Sequence, residues 1–187
     1  DAGSPRCFYG MQSNGLARQF LDGYEIGSNA SLFSPQGGLR ASADELLIVL
    51  QMLASGGTIN QNRILSETSV AAMLEPQWIL NEDGSNGLSA GEAKPGGPSD
   101  GLMTSYGLSV HRIDLREYGY AQGPNIVLGH LGRAYGVLSH ALFDPETGDG
   151  IAMIITGTAN DPSIATGHSP LYRVEEEMLR WWLNKSY

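Results

Sequence analysis

The sequence predicts an α+β fold in which an antiparallel sheet is covered by helices. Short apolar runs crowd the second half of the chain, and a reversal containing Pro and Gly at 144–148 joins the last two. The terminal segment has apolar residues at helical spacing, and such a stripe packs well on a sheet. With 187 residues, 41% of them apolar, the chain is long enough for a substantial core.

The first predicted element is a helix over 42–54. Ser42 and Glu45 form a capping-box pattern ahead of a long apolar run, and Gly56 and Gly57 end the helix. Because the run is apolar on every side, we expect this helix to be largely buried.

A second helix is predicted over 67–74, with Ser66 as its N-cap and Pro76 just beyond its end. Residues 81–103 are rich in Gly, Ser, Pro and Asp, and we expect them to form a long irregular segment that covers a site or moves.

Strands are predicted where short apolar runs recur, at 106–113, 125–128, 135–143 and 151–156. The turn at 144–148 makes the last two a hairpin.

The final helix is predicted over 170–184, with Ser169 as N-cap and Pro170 at the first helical position. Its expected core stripe consists of Leu171, Val174, Met178 and Trp182. Its expected solvated face consists of Glu175, Glu176, Glu177 and Arg180.

Composition excludes several classes of protein. The net charge is −9 and the eleven basic residues are scattered, which argues against nucleic-acid binding. No apolar stretch is long enough to span a bilayer. Cys7 is the only cysteine, so it forms no internal disulfide, and the sequence predicts neither a cofactor nor a metal site.

Self-sufficient catalytic motifs are absent from the sequence. A G-x-S-x-G pattern occurs at 87–91 (GLSAG), but it lies in the Gly-rich irregular segment and not at a strand-to-helix elbow. There is no H-E-x-x-H and no P-loop. Neither Lys94 nor Lys185 has a serine three positions earlier, so S-x-x-K does not occur, and no tyrosine begins a Y-x-N motif.

One histidine differs from the other three. Structural or solvated roles are predicted for His111, His140 and His168. His130 follows an apolar strand and has glycines on both sides in the run 129–136, which suggests close approach of a ligand or another backbone. An ordinary Gly-rich turn between two strands explains the same spacing.

Several motifs in collinear order resemble the superfamily of serine β-lactamases, penicillin-binding proteins and related esterases. The segments 34–39 (SPQGGL) and 42–46 (SADEL), followed by Gly56-Gly57, resemble its S-P-A-G-G-L and S-x-x-D-L stretches. The matches that follow are 65–76, 106–108 (YGL), 129–132 (GHLG, in place of K-T-G) and 144–148 (DPETG).

The resemblance, which covers roughly 16–183, implies an incomplete fold of this kind. Residues 1–36 are a loop and lead-in, 37–103 belong to part of a helical subdomain and the Gly-rich loop, and 104–187 form antiparallel strands and the C-terminal helix. The chain is then the C-terminal part of a serine hydrolase that acts through an acyl-enzyme, while S-x-x-K and Y-x-N lie N-terminal to it.

The resemblance also implies which residues line the site. His130 lies at the sheet edge, Gly132 leaves room for substrate, and the backbone N–H of Arg133 is an oxyanion donor. Leu131 and Tyr135 are expected to contact substrate. Because Leu131 replaces the usual Thr or Ser and has no hydroxyl to bind a carboxylate, we expect ester or peptide substrates more than β-lactams.

The implied partner is an N-terminal part of the same enzyme, which carries the nucleophile, or a second copy of the chain. The chain alone is expected to be inactive. The alternative is a non-catalytic binding module of the same fold, which binds ligands without acylation. Relatives are often exported, which would place the protein in the periplasm or outside the cell, although the sequence itself does not identify the compartment.

Overall fold

A computed structural model describes residues 39, 41–83, 85–86, 104–118, 124, 126–134, 137–156 and 171–186. The described residues form three α-helices, a six-stranded antiparallel sheet and a separate two-stranded hairpin. The α+β class predicted from the sequence is therefore confirmed. The lead-in over 1–38 and most of the Gly-rich loop lie outside the described residues.

Helix α1 (Ala43–Ala54) begins where the capping box predicts. Ser42 accepts a hydrogen bond from the Glu45 N–H, and the Glu45 carboxylate accepts one from the Ser42 N–H at 2.7 Å. The expectation that this helix is largely buried is wrong. Leu50 and Leu53 are buried, but Ile48 and Val49 are exposed by 50% and 45%. One apolar side of α1 therefore packs in the core, while a second apolar side is exposed to solvent.

A short hairpin and a second helix follow. The hairpin pairs β1 (Thr58–Ile59) with β2 (Asn62–Arg63). Helix α2 (Glu67–Leu74) has the predicted bounds, and the Ser66 hydroxyl caps it by accepting the Ser69 N–H at 3.0 Å.

The large sheet is a meander in which each strand pairs antiparallel with the next along the chain. Its strands are β3 (Trp78–Ile79), β4 (Ser105–Tyr106), β5 (His111–Asp114), β6 (Ile126–Ala134), β7 (Val137–Phe143) and β8 (Gly150–Ile155). The single strand predicted over 106–113 is wrong, because a turn at 107–110 divides β4 from β5. The predicted hairpin between β7 and β8 is confirmed.

Helices cover both faces of the sheet. On one face, Leu50, Leu53 and Val70 of α1 and α2 pack against Leu128 and Phe143. On the other face lies helix α3 (Arg173–Ser186), whose Leu179, Trp182 and Leu183 form a second core with Ile113, Val127, Leu142 and Ile151. The sheet is therefore the middle layer of three.

The predicted faces of α3 are partly wrong. Val174, expected in the core stripe, is 43% exposed, whereas Glu175 and Glu176, expected in solvent, are 2% and 3% exposed. Glu175 is buried because His140 of β7 lies beneath it, with its Nε2 2.8 Å from Glu175 Oε1. The second Glu175 oxygen accepts the Tyr172 N–H at 2.7 Å. This buried pair joins α3 to the sheet.

No helix in the described part of the chain combines the length and the apolar character that a membrane span requires.

Candidate functional site

Residues 129–134 of the Gly-rich run are part of a strand. For these residues the alternative of a turn between two strands is wrong, because β6 continues for nine residues and pairs with β7 from Leu128 to Ala134. Strand β6 also lies inside the sheet, between β5 and β7. Strand β6 is therefore an inner strand of the sheet and not an edge strand, contrary to the prediction that His130 lies at the sheet edge.

The end of β6 nevertheless has an open side. Strand β5 pairs with it only as far as Gly129, opposite His111. From His130 to Ala134, no strand of the described residues pairs with β6 on the side away from β7. We call this segment the open edge. Within the described residues, the main-chain groups on this side of the open edge therefore have no partner from a neighbouring strand.

Glycine at position 129 is required by the backbone. Its φ of 144° lies in the region that other residues rarely adopt. A Cβ there would also overlap the Ala141 carbonyl oxygen on β7 and lie 2.9 Å from Leu142 Cα. The neighbouring strand can approach only because the side chain is absent.

The main chain of Leu131 contacts both histidines at the open edge. Its N–H donates to His111 Nδ1 over 3.3 Å, and its carbonyl oxygen lies 2.7 Å from His130 Nδ1. A carbonyl oxygen can only accept, so His130 Nδ1 carries a proton and its Nε2 is the nitrogen that can exchange one. His130 is exposed, so this nitrogen is available for acid–base chemistry.

The backbone N–H of Arg133 faces the same side as that of Leu131. Successive N–H groups alternate along a strand, and the Leu131 N–H points away from β7 toward His111. The Arg133 N–H is therefore directed at the open edge, where the resemblance implies an oxyanion donor. The side chain of Arg133 and all of Tyr135 lie outside the described residues.

The other two predicted site residues are occupied by protein contacts. The half-buried side chain of Leu131 packs against the core beneath α3. A Cβ on Gly132 would overlap the Ser139 hydroxyl of β7, so the missing side chain makes room for Ser139 in this structure. Leu131 therefore reaches the open edge through its main chain, whereas the main-chain N–H and C=O of Gly132 face β7.

Sequence reasoning missed His111, for which it predicted an ordinary structural or solvated role. The ring is 3% exposed and lies 3.9 Å from the His130 ring, centroid to centroid, with 34° between their planes. Tyr106 packs edge-on against it at 4.9 Å. No motif marks His111, and only its pairing opposite Gly129 brings it to the site.

Burial and, to a smaller extent, the nearby charge of His130 together lower the pKa of His111 to about 4. His111 is therefore neutral near pH 7, which allows its Nδ1 to accept the Leu131 N–H. A cationic imidazole has no lone pair for that bond.

Stability should consequently fall on mild acidification. The unfolded chain binds a proton at an ordinary histidine pKa of 6.5, whereas folded His111 binds one only near 4. Between these values the unfolded state holds more protons, so the free energy of unfolding falls by up to about 1.4 kcal/mol per pH unit as pH decreases. Urea unfolding between pH 4 and 7 measures this slope. His111→Phe is the matched variant, and an unchanged slope in it would contradict the assignment.

A separate concavity of about 480 Å³ lies at the end of α2, lined mainly by apolar side chains. Arg112 also lines the concavity, and its guanidinium donates a hydrogen bond to the Leu74 carbonyl at the C-terminal end of α2. Within the described ranges, no cluster of three or more His, Cys, Asp or Glu side chains could hold a metal ion.

Comparisons of the chain with family sequence models, characterised proteins and solved structures found no match.

Proposed function

We propose that this chain forms one wall of the active site of a serine hydrolase of the β-lactamase and penicillin-binding-protein type. The observation that supports this most is the open edge, where the His130 side chain is exposed and the Arg133 N–H is directed away from β7. An acid–base group beside a main-chain donor is what acyl transfer requires at the substrate carbonyl.

The nucleophile comes from outside this chain in the proposed mechanism. A serine carried by an N-terminal part of the same enzyme adds to an ester, amide or peptide carbonyl and loses its proton to a nearby base. The Arg133 N–H donates to the oxyanion that forms. One such donor contributes about 3 kcal/mol of transition-state stabilisation.

Collapse of the tetrahedral adduct expels an alcohol or amine, which must gain a proton as it departs. His130 Nε2 donates that proton when the ring is protonated. Water then attacks the acyl-enzyme carbonyl and gives a proton to His130, which restores the protonated ring. The second tetrahedral adduct collapses to the free acid and expels the serine oxygen, which recovers its proton from the nearby base.

The chemistry at position 131 narrows the proposed substrates. The Leu131 side chain has no hydroxyl and packs into the core, so it provides no hydrogen bond to a substrate carboxylate. Esters and peptides without a carboxylate beside the scissile bond therefore suit this wall better than β-lactams do.

Exposed apolar side chains on α1 support the proposed need for a second part. Ile48 and Val49 are about half exposed on a helix whose other side is in the core. A partner that covers them removes apolar surface from water, at about 25 cal/mol per Å². In the proposed assembly, the part that brings the nucleophile covers this surface.

A fluorophosphonate probe tests the proposal, because it labels activated serines covalently. We incubate the probe with the intact protein and any co-purifying chain, and we locate the adduct by mass spectrometry. The expected adduct lies on a serine outside the 187 residues. An adduct on a serine within them, or none at all, contradicts the proposal and favours a binding module.

In the assembly that the probe identifies, prepared without the probe, His130→Ala should lower kcat/KM for an activated ester by at least about 10²-fold, the usual contribution of a general acid or base. His168→Ala is the matched control, because no role is assigned to that histidine. Equal activities of the two variants would remove His130 from the mechanism.

A further inference from the structure

The His111 side chain occupies the place beside β6 where a longer β5 would have continued the pairing. His111 is the first residue of β5 and pairs with Gly129, while β6 continues beyond it to Ala134. Along that continuation, the ring of His111 reaches the N–H of Leu131, which a strand partner would otherwise have bonded. The His111 side chain thus replaces one rung of the ladder.

The absent side chain of Gly129 is consistent with this arrangement. Residues directly opposite each other on paired strands have neighbouring side chains on one face. Opposite His111 there is no side chain, so the ring has space to turn along the sheet toward Leu131 and His130.

The two histidines are held in opposite tautomers by one residue. The Leu131 N–H requires a lone pair on His111 Nδ1, whereas the Leu131 carbonyl requires a proton on His130 Nδ1. The proton of neutral His111 is consequently on Nε2, and that of neutral His130 is on Nδ1.

We propose that His111 is a positioning residue that fixes the ring and the tautomer of His130 through stacking and through the Leu131 main chain. The inference rests on the proposed function for the importance of His130, but its geometry is independent of that function. His111 itself contacts no reacting atom, and it acts by directing His130 Nε2 at the open edge.

The surroundings of His111 suit this role. Tyr106 packs edge-on against the ring, and Trp78 packs against Tyr106 at 5.7 Å, so a row of rings supports it from behind. The neutrality of the buried ring near pH 7 keeps the Leu131 hydrogen bond and avoids two cations 3.9 Å apart. Both features hold the pair in one arrangement.

Nitrogen-15 NMR of histidine-labelled intact protein tests the proposal directly, because protonated and unprotonated ring nitrogens have well-separated shifts. At neutral pH the expected wild-type spectrum shows an unprotonated Nδ1 in His111 and a protonated Nδ1 in His130. A protonated His111 Nδ1 in the wild type overturns the proposal, and this arm requires no variant.

Two substitutions separate the hydrogen bond from the ring. His111→Phe keeps a ring but has no acceptor, and we expect the neutral His130 to become a mixture of both tautomers. His111→Gln restores an acceptor that can reach the Leu131 N–H, and we expect it to recover part of the wild-type signature. A folded His111→Phe protein in which His130 keeps its Nδ1 proton contradicts the proposal.

Val70→Ala is the control for simple destabilisation, because Val70 is a buried residue of the core that α1 and α2 form with the sheet. It should leave both tautomers unchanged. In the assembly that the probe identifies, prepared without the probe, His111→Phe should also lower kcat/KM by about tenfold, because the His130 ring is no longer correctly oriented. If the tautomers behave as expected but His130→Ala leaves activity intact, the positioning inference stands and the proposed function fails.

Discussion

Glu175→Leu is expected to lower the free energy of unfolding by about 3 kcal/mol, one of the two largest effects that we predict. Its carboxylate contacts His140 Nε2 at 2.8 Å and accepts the Tyr172 N–H at 2.7 Å. His140 is 1% exposed, so water cannot replace the lost partner. Urea denaturation followed by circular dichroism measures the change.

Glu177→Leu is the matched control on the same helix. The Glu177 side chain is 60% exposed and pairs only with exposed Arg173 at 3.8 Å, so its loss should cost less than about 1 kcal/mol. A double variant with His140→Leu should lose less than the sum of the two single variants, because it no longer leaves the buried His140 ring without its carboxylate partner. Equal losses for Glu175→Leu and Glu177→Leu would mean that the buried pair does not stabilise the fold.

Gly129→Ala is expected to destabilise the fold by at least about 3 kcal/mol and to displace β6 from β7. Alanine is strained at a φ of 144°, and its Cβ would overlap the Ala141 carbonyl. Because the same strand carries His130, we expect the histidine signals of the open edge to change in any protein that still folds. Thermal unfolding and the NMR spectrum measure the two effects.

Gly148→Ala separates strain from overlap. Gly148 also has a positive φ, 80°, but a Cβ there would meet nothing closer than Ala54 Cβ at 3.9 Å. Its cost should be about 1 kcal/mol, the usual penalty for placing alanine at such an angle. If both variants lost the same stability, close packing of β7 on Gly129 would not be the reason for this glycine.

Local signals predicted the starts of α1 and α2 and the hairpin well, whereas α3 begins at Arg173 and not at the predicted Pro170. Ser42 and Ser66 cap α1 and α2 as expected, and the reversal at 144–148 joins β7 to β8. These features succeed because a cap or a tight turn is determined by residues only a few positions apart. The α+β class follows from them, whereas membership of a particular superfamily stays a prediction.

Features that depend on distant residues were harder to predict. The run 129–136 permits either a turn or a strand, and pairing with β7 selects the strand. The burial of Glu175 depends on His140, which is 35 residues away. On α1 the apolar residues surround the helix, so the sequence contains no signal for which side faces the core.

Part of the site was predicted and part was not. His130 stood out because glycines flank it, and the direction of the Arg133 N–H follows from strand geometry. His111 did not stand out, because its role depends on β5 ending opposite Gly129. A strand that stops before its neighbour does leaves no mark in the local pattern of either strand.

Both histidines at the open edge bind to the peptide groups of position 131, while the leucine side chain points into the core. Peptide groups are the same for every residue except proline. The identity of residue 131 is therefore free to change among core-forming side chains without altering the histidine arrangement. Mutational scanning of this position should report core packing, with proline as the substitution that removes the N–H bonded to His111 while keeping the carbonyl that contacts His130.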